Sequence, residues 1–179
     1  MVTSTNEMFS ENLGIDISIA IDNYAGDKHA AGKQALEKTK YSDNGYTSIS
    51  HSRNFAVGVS TPKKNHVLGI GVDFEEPRSI TLGASKMFLT PNEMEKFKSV
   101  NKEKLLELWT IKEALFKATP ANNGLFLRNF ETTLENGHPG RAICLLKPEL
   151  EFTYESAILP QGILTVALCF EMKSKESNA

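Results

Sequence analysis

A strand carrying two glycines, Gly69-Ile70-Gly71-Val72-Asp73-Phe74-Glu75, constrains the fold of this chain more than any other segment. Its small and β-branched residues mark it as interior, yet Gly69 and Gly71 weaken its own strand propensity. Glycine in that setting marks either the close approach of another backbone or a bend. The strand ends on Asp-x-Glu. Side chains alternate along a strand, so Asp73 and Glu75 leave it on the same face. About forty residues later, Trp109-Thr110-Ile111-Lys112-Glu113-Ala114-Leu115-Phe116-Lys117 reads as a helix. Glu113 and Lys117 are four apart and share one of its faces. Three carboxylates and a lysine on rigid elements are a set suited to holding a divalent cation against a phosphorylated ligand. Only oxygen ligands are on offer, which suits Mg²⁺ far better than zinc. Each motif alone also has an ordinary explanation. Asp-x-Glu is common at exposed sheet edges, and Glu-x-x-x-Lys adds only ~0.2–0.5 kcal/mol on a solvated helix.

The remaining pattern places these two motifs. Residues 1–12 are polar and read as a loose terminus. An alternating strand follows over 15–21, then an alanine-rich helix over 28–40 with Ala31, Ala35 and Leu36 on one face. Strands are expected over 46–50 and 54–60, separated by the polar break His51-Ser52-Arg53, and the glycine strand over 66–75. Thr90-Pro91-Asn92-Glu93 is a capping box with proline at the first helical position. Its helix is expected to reach about residue 98, with a second helix over 102–118 capped by Asn101 and stopped by Pro120. Strands over 130–134, 142–146, 151–155 and 162–170 complete an α+β chain. The expected division is a half at 1–76 and a half at 77–179.

Bulk properties exclude some classes. The chain has 179 residues and a formal net charge of −2. No basic run grips a phosphate backbone, so nucleic acid is not the expected partner. The chain shows neither an apolar stretch long enough to span a bilayer nor a signal peptide. Cys144 and Cys169 lie apart in apolar segments and read as buried hydrophobes, which fits a reducing, cytoplasmic compartment.

The segments GVDFE and LWTIKEALFKA together resemble the signature of the 4′-phosphopantetheinyl transferase superfamily, in its single-chain Sfp-type or EntD-like branch. Three further segments agree in order and spacing: Ala31-Gly32-Lys33-Gln34-Ala35-Leu36, Ser48-Ile49-Ser50-His51-Ser52, and Met87-Phe88-Leu89-Thr90-Pro91-Asn92-Glu93. The resemblance implies two pseudo-symmetric α+β halves in one chain, working as a monomer, with the active site in the cleft between them. It implies transfer of 4′-phosphopantetheine from coenzyme A to a serine of an apo acyl or peptidyl carrier protein, releasing adenosine 3′,5′-bisphosphate. Asp73, Glu75 and Glu113 would hold Mg²⁺. Lys117 would stabilise charge on the pyrophosphate. Ser50, His51 and Lys33 would contact the phosphates of coenzyme A, Lys33 standing where the family has an arginine.

Several residues keep two readings. Glu93 is either the base for the acceptor serine or only the capping-box glutamate. His51 is a phosphate ligand or a structural histidine. Lys112 is a solvated lysine or a ligand contact. Glu76 adds a neighbouring carboxylate that could compete for the cation. Carrier docking is expected on residues 78–98, with Arg78, Lys86, Lys96 and Lys98 around Met87, Phe88 and Leu89. The alternative there is that Phe88 and Leu89 are buried as a hydrophobic staple. Two other functions fit the acidic motifs: a Mg²⁺-dependent nuclease or phosphodiesterase, and a carrier-binding module without catalysis.

Overall fold

A computed structural model describes residues 4–64, 66–96, 102–133 and 139–172. The α+β expectation holds, with helices packed on two antiparallel sheets. The first sheet has the order β1-β3-β2, from β1 (Ser18–Asn23), β2 (Tyr46–His51) and β3 (Phe55–Thr61). The alternating run before it begins earlier than the strand does. Ile15 and Ile17 are buried ahead of β1, and the Ile17 N–H donates to Ser10 Oγ at 2.9 Å in place of a ladder bond. Helix α2 (Lys28–Glu37) starts at Asp27, whose carboxylate accepts from the N–H groups of His29 and Ala30. It lies so close to β3 that a Cβ on Gly58 would stand 2.5 Å from the Leu36 backbone.

The second sheet runs β4-β8-β7-β6-β5. It is built from β4 (Val67–Glu75), β5 (Phe130–Thr133), β6 (Gly140–Cys144), β7 (Lys147–Leu159) and β8 (Gly162–Glu171). A long helix, α5 (Lys102–Ala118), crosses it. The glycines of β4 are explained by the close approach of this helix, and Gly69 also stands where the pairing with β8 shifts register. A Cβ on Gly69 would meet the Ala118 carbonyl oxygen at 2.3 Å, and one on Gly71 the Ala114 oxygen at 2.0 Å. Two short helices, α3 (Leu82–Ser85) and α4 (Pro91–Lys96), precede α5. The Thr90 capping box forms as expected: Thr90 Oγ1 accepts from the Glu93 N–H, and Glu93 Oε2 accepts from the Thr90 N–H. The expected end of this helix near Lys98 and the cap at Asn101 lie outside the described residues, as does the turn at Asn136-Gly137.

A division after residue 76 cuts the second sheet. β4 pairs with β8 from Val67 to Glu75, so the chain changes sheets before β4, between Thr61 and Val67. The two sheets share one apolar core of Val57, Val59, Ile70, Val72, Phe74, Leu164, Val166 and Leu168. Opposite it, α5 covers the other face of the second sheet with Leu105, Leu108, Ile111 and Leu115 against Phe130 and Phe152.

The amino-terminal segment is not a loose end. It forms helix α1 (Thr5–Leu13), closed at the start by a Ser4–Glu7 capping box and at the end by Gly14 in the left-handed region. Phe9 and Leu13 enter the shared core. A side-chain seam completes the joint: Ser48 Oγ accepts from the Val72 N–H at 3.1 Å, and Ser50 Oγ from the Phe74 N–H at 3.1 Å.

Candidate active site

The seam and the glycine strand together set the site. Ala114 and Ala118 of α5 rest on Gly71 and Gly69, which brings their neighbours Glu113 and Lys117 down beside the end of β4. Lys117 Nζ donates to Asp73 Oδ1 at 2.8 Å, to the Val72 carbonyl at 3.1 Å and to Ser50 Oγ at 3.3 Å. Ser50 Oγ in turn donates to Asp73 Oδ1 at 2.8 Å. Asp73 is 5% exposed, and its second oxygen, Oδ2, is buried with no hydrogen-bond partner. Burial raises the Asp73 carboxyl above its ordinary value, against the pull of Lys117. Glu113 is half-buried, and its carboxyl is raised first by burial and then by the charge of Asp73. These are two acids crowded together with an unsatisfied oxygen between polar walls, the electrostatic setting that a hard cation relieves.

Glu75, the third of the expected ligands, is held by protein donors. Its Oε1 accepts from Arg78 Nη2 at 2.8 Å and from Trp109 Nε1 at 2.9 Å, and its Oε2 accepts from Arg78 Nε at 2.8 Å. The Arg78 guanidinium lies 5.5 Å from the Trp109 ring centre, and Phe88 meets that ring edge-on at 5.3 Å. Among the described residues, no three His, Cys, Asp or Glu side chains form a ready cation cage. Asp73 and Glu113 are the pair whose chemistry fits Mg²⁺, with Glu75 engaged elsewhere. Glu76, the neighbouring carboxylate, is also held. Its two oxygens accept from the Asn54 N–H and side-chain amide at 2.8 and 2.7 Å.

Glu93 and Lys112 form a buried ion pair. Glu93 is 1% exposed and Lys112 0%. Lys112 Nζ donates to both Glu93 oxygens at 2.7 Å and also to the Phe130 carbonyl. Thr132 adds its N–H and its hydroxyl to Glu93 Oε1 at 2.9 and 2.8 Å. Both Glu93 oxygens are thus engaged, by Lys112, Thr90 and Thr132. Lys112 is not solvated. Burial lowers its ammonium from the ordinary value, and Glu93 opposes that shift. The sequence does carry a signal for this. Lys112 falls on the spacing of the apolar stripe Leu105, Leu108 and Leu115, where a solvated lysine does not belong.

The first half contributes less open chemistry than expected. Ser50 is 2% exposed, with its hydroxyl occupied by Asp73, Phe74 and Lys117. His51 Nε2 is buried without a partner, under α2, where a Cβ on Gly32 would stand 2.3 Å from it. Burial and the neighbouring His29 lower the His51 imidazole below its ordinary value. Lys33 lies on the outer side of α2, 78% exposed and 3.9 Å from Glu37. On the expected docking segment, Phe88 and Leu89 are core residues, whereas Leu82 and Met87 are exposed at 65% and 72%. Lys98 lies outside the described residues.

The family model of the 4′-phosphopantetheinyl transferase superfamily matches residues 69–169, from the glycine strand to the last strand of its sheet. The chain belongs to the 4′-phosphopantetheinyl transferase superfamily. The matched stretch holds Asp73, Glu75, Glu93, Lys112, Glu113 and Lys117, while Lys33, Ser50 and His51 precede it. A search of curated proteins finds no match to the chain. Membership in the superfamily makes the protein a transferase of the phosphopantetheine group, a class that works with coenzyme A and carrier proteins. No helix among the described residues is long and apolar enough to cross a membrane.

Proposed function

We propose that the protein is a single-chain enzyme of the Sfp-type branch. It moves 4′-phosphopantetheine from coenzyme A to a serine hydroxyl of an apo acyl or peptidyl carrier protein and releases adenosine 3′,5′-bisphosphate. The observation that carries this reading is the Asp73–Lys117–Glu113 arrangement, with Asp73 Oδ2 buried and unsatisfied. It sits inside the segment that the superfamily model matches. Mg²⁺ held by Asp73 and Glu113 would neutralise charge on the pyrophosphate when bound. Lys117 supplies a cation that is 27% exposed, its ammonium shared among Asp73, Ser50 and the Val72 carbonyl, so it can turn from Asp73 to an incoming phosphate. Phosphoryl transfer needs such positioning and charge stabilisation more than covalent help. Lys33 is free to approach the ribose phosphate from α2. Leu82, Lys86 and Met87 form an exposed apolar and basic face for the carrier.

Mass spectrometry of apo carrier proteins incubated with the enzyme, coenzyme A and Mg²⁺ tests the reading. A gain of one phosphopantetheine group is expected, and Asp73→Ala should abolish it. Carrier binding without any mass gain would mean a docking module that lacks catalysis. Cleavage of a nucleic acid or phosphodiester substrate, with no mass gain, would replace the transferase reading.

A further inference from the structure

Glu75 is held by a guanidinium and an indole. Three charge-assisted or polar hydrogen bonds, all within 2.9 Å, engage both of its oxygens. Arg78 grips it as a planar fork, the geometry in which guanidinium binds carboxylate most firmly. The fork is not built into the core, since the Arg78 side chain is 46% exposed. It also lines a cavity of about 360 Å³ shared with Pro77, Ser79, Leu106, Ile158 and Ile163. The guanidinium can therefore leave Glu75 without displacing a packed side chain. Two residues away, Asp73 carries the unsatisfied buried oxygen of the cation site. A divalent cation seated there would lie close to the Arg78 charge and would draw on the same Glu75 carboxylate.

We propose that Arg78 and the divalent cation are alternative partners of Glu75, so that Arg78 sets the cation affinity of the site. This inference rests on the cation reading of Asp73 and Glu113 given above. Glu75 joins the cation only by giving up the fork, and Arg78 then turns into the adjacent cavity. Trp109 reports the exchange directly. It is the only tryptophan in the chain, it donates to Glu75, and the Arg78 guanidinium lies over its ring. Arg78 is thus a positioning residue that acts through Glu75, and it need not touch the reacting atoms.

Mn²⁺ titrated into the full chain, alone and with coenzyme A, tests the exchange. Binding is followed by the electron paramagnetic resonance signal of free Mn²⁺ and, in the same samples, by Trp109 emission. Wild type should bind Mn²⁺ with a shift in emission. Arg78→Gln should bind it about five- to tenfold more tightly, a modest factor because the fork is partly solvated. The cation should then move its emission far less, because the guanidinium is already gone from the ring. Binding to wild type with unmoved emission and an unchanged Kd in Arg78→Gln would overturn the exchange and leave the cation site standing. Tighter binding in Arg78→Gln without any emission change in wild type would reduce Arg78 to a distant repelling charge and equally overturn it. Absence of Mn²⁺ binding in both proteins, with or without coenzyme A, would overturn the cation reading and the exchange together.

Discussion

Glu93→Gln separates a buried structural carboxylate from a catalytic base. In the structure, Glu93 accepts five hydrogen bonds, from Lys112 Nζ twice, the Thr90 N–H, the Thr132 N–H and the Thr132 hydroxyl. Glutamine offers one acceptor oxygen, so its amide nitrogen must face a donor on one side of the group. It also leaves the Lys112 ammonium buried without its ion-pair partner, with the Phe130 carbonyl and only the weaker pull of Glu131. Removing one partner of a buried ion pair costs about 3–5 kcal/mol. For a chain of this size each kcal/mol lowers Tm by about 2–4 °C, so the expected drop is roughly 6–20 °C. Adding Lys112→Met should recover part of the loss, because the unpaired charge goes with it. Thermal and urea unfolding give the stability, and the carrier mass assay, run well below Tm, gives the rate per folded molecule. A Tm within about 3 °C of wild type, with a rate at least ~10²-fold lower, would show that Glu93 works in the chemistry and would refute its structural assignment.

Gly71→Ala places a methyl against the Ala114 carbonyl and should cost at least ~1–3 kcal/mol. It should also lower activity per folded molecule, because α5 can yield only by moving Glu113 from Asp73; urea unfolding and the transfer assay measure the two effects. Phe9→Ala empties a fully buried position that joins α1 to the shared core, and should destabilise by about 3–5 kcal/mol in chemical denaturation. Asp16 is held below its ordinary value of 3.8 by hydrogen bonds from Lys40 and then Tyr41. Its contribution is therefore present above pH 3.8 and lost as pH falls through the lower folded value. The urea midpoint of wild type should exceed that of Asp16→Asn at pH 7, and the gap should close in strong acid.

Local signals were legible wherever one physical rule acted alone. The span Lys102–Ala118, the capping box at Thr90 and the glycine strand follow from periodicity, cap chemistry and the weakness of glycine in a strand. What escaped were partnerships between segments distant in sequence. Helix α1 does carry a Ser4-x-x-Glu7 box and a Gly14 stop, but a polar composition masked the two side chains, Phe9 and Leu13, that pin it. The pairing of β4 with β8 likewise joins segments distant in sequence. At the site, Asp73, Glu113 and Lys117 were legible as a group because their motifs fix which faces they share. The grip on Glu75 was not: Trp109 lies 34 residues away in sequence, and Arg78, three residues away, follows the end of the strand, where no helical spacing rule applies. Glu93 and Lys112 likewise meet only once α4 and α5 are packed.

The serine seam has a consequence for how the chain is made. β4 is an edge strand, and an edge with open N–H groups is a template for pairing with another chain. Here the Val72 and Phe74 groups are already occupied by hydroxyls from β2. A hydroxyl caps an N–H but offers no ladder of its own, so the strand is closed without the first sheet being extended across it. β2 also precedes β4 in the chain, so the ribosome releases the cover before the edge that needs it. Replacing Ser48 and Ser50 with valine would leave the edge bare from the first moment β4 emerges. The expected symptom is self-association of nascent chains.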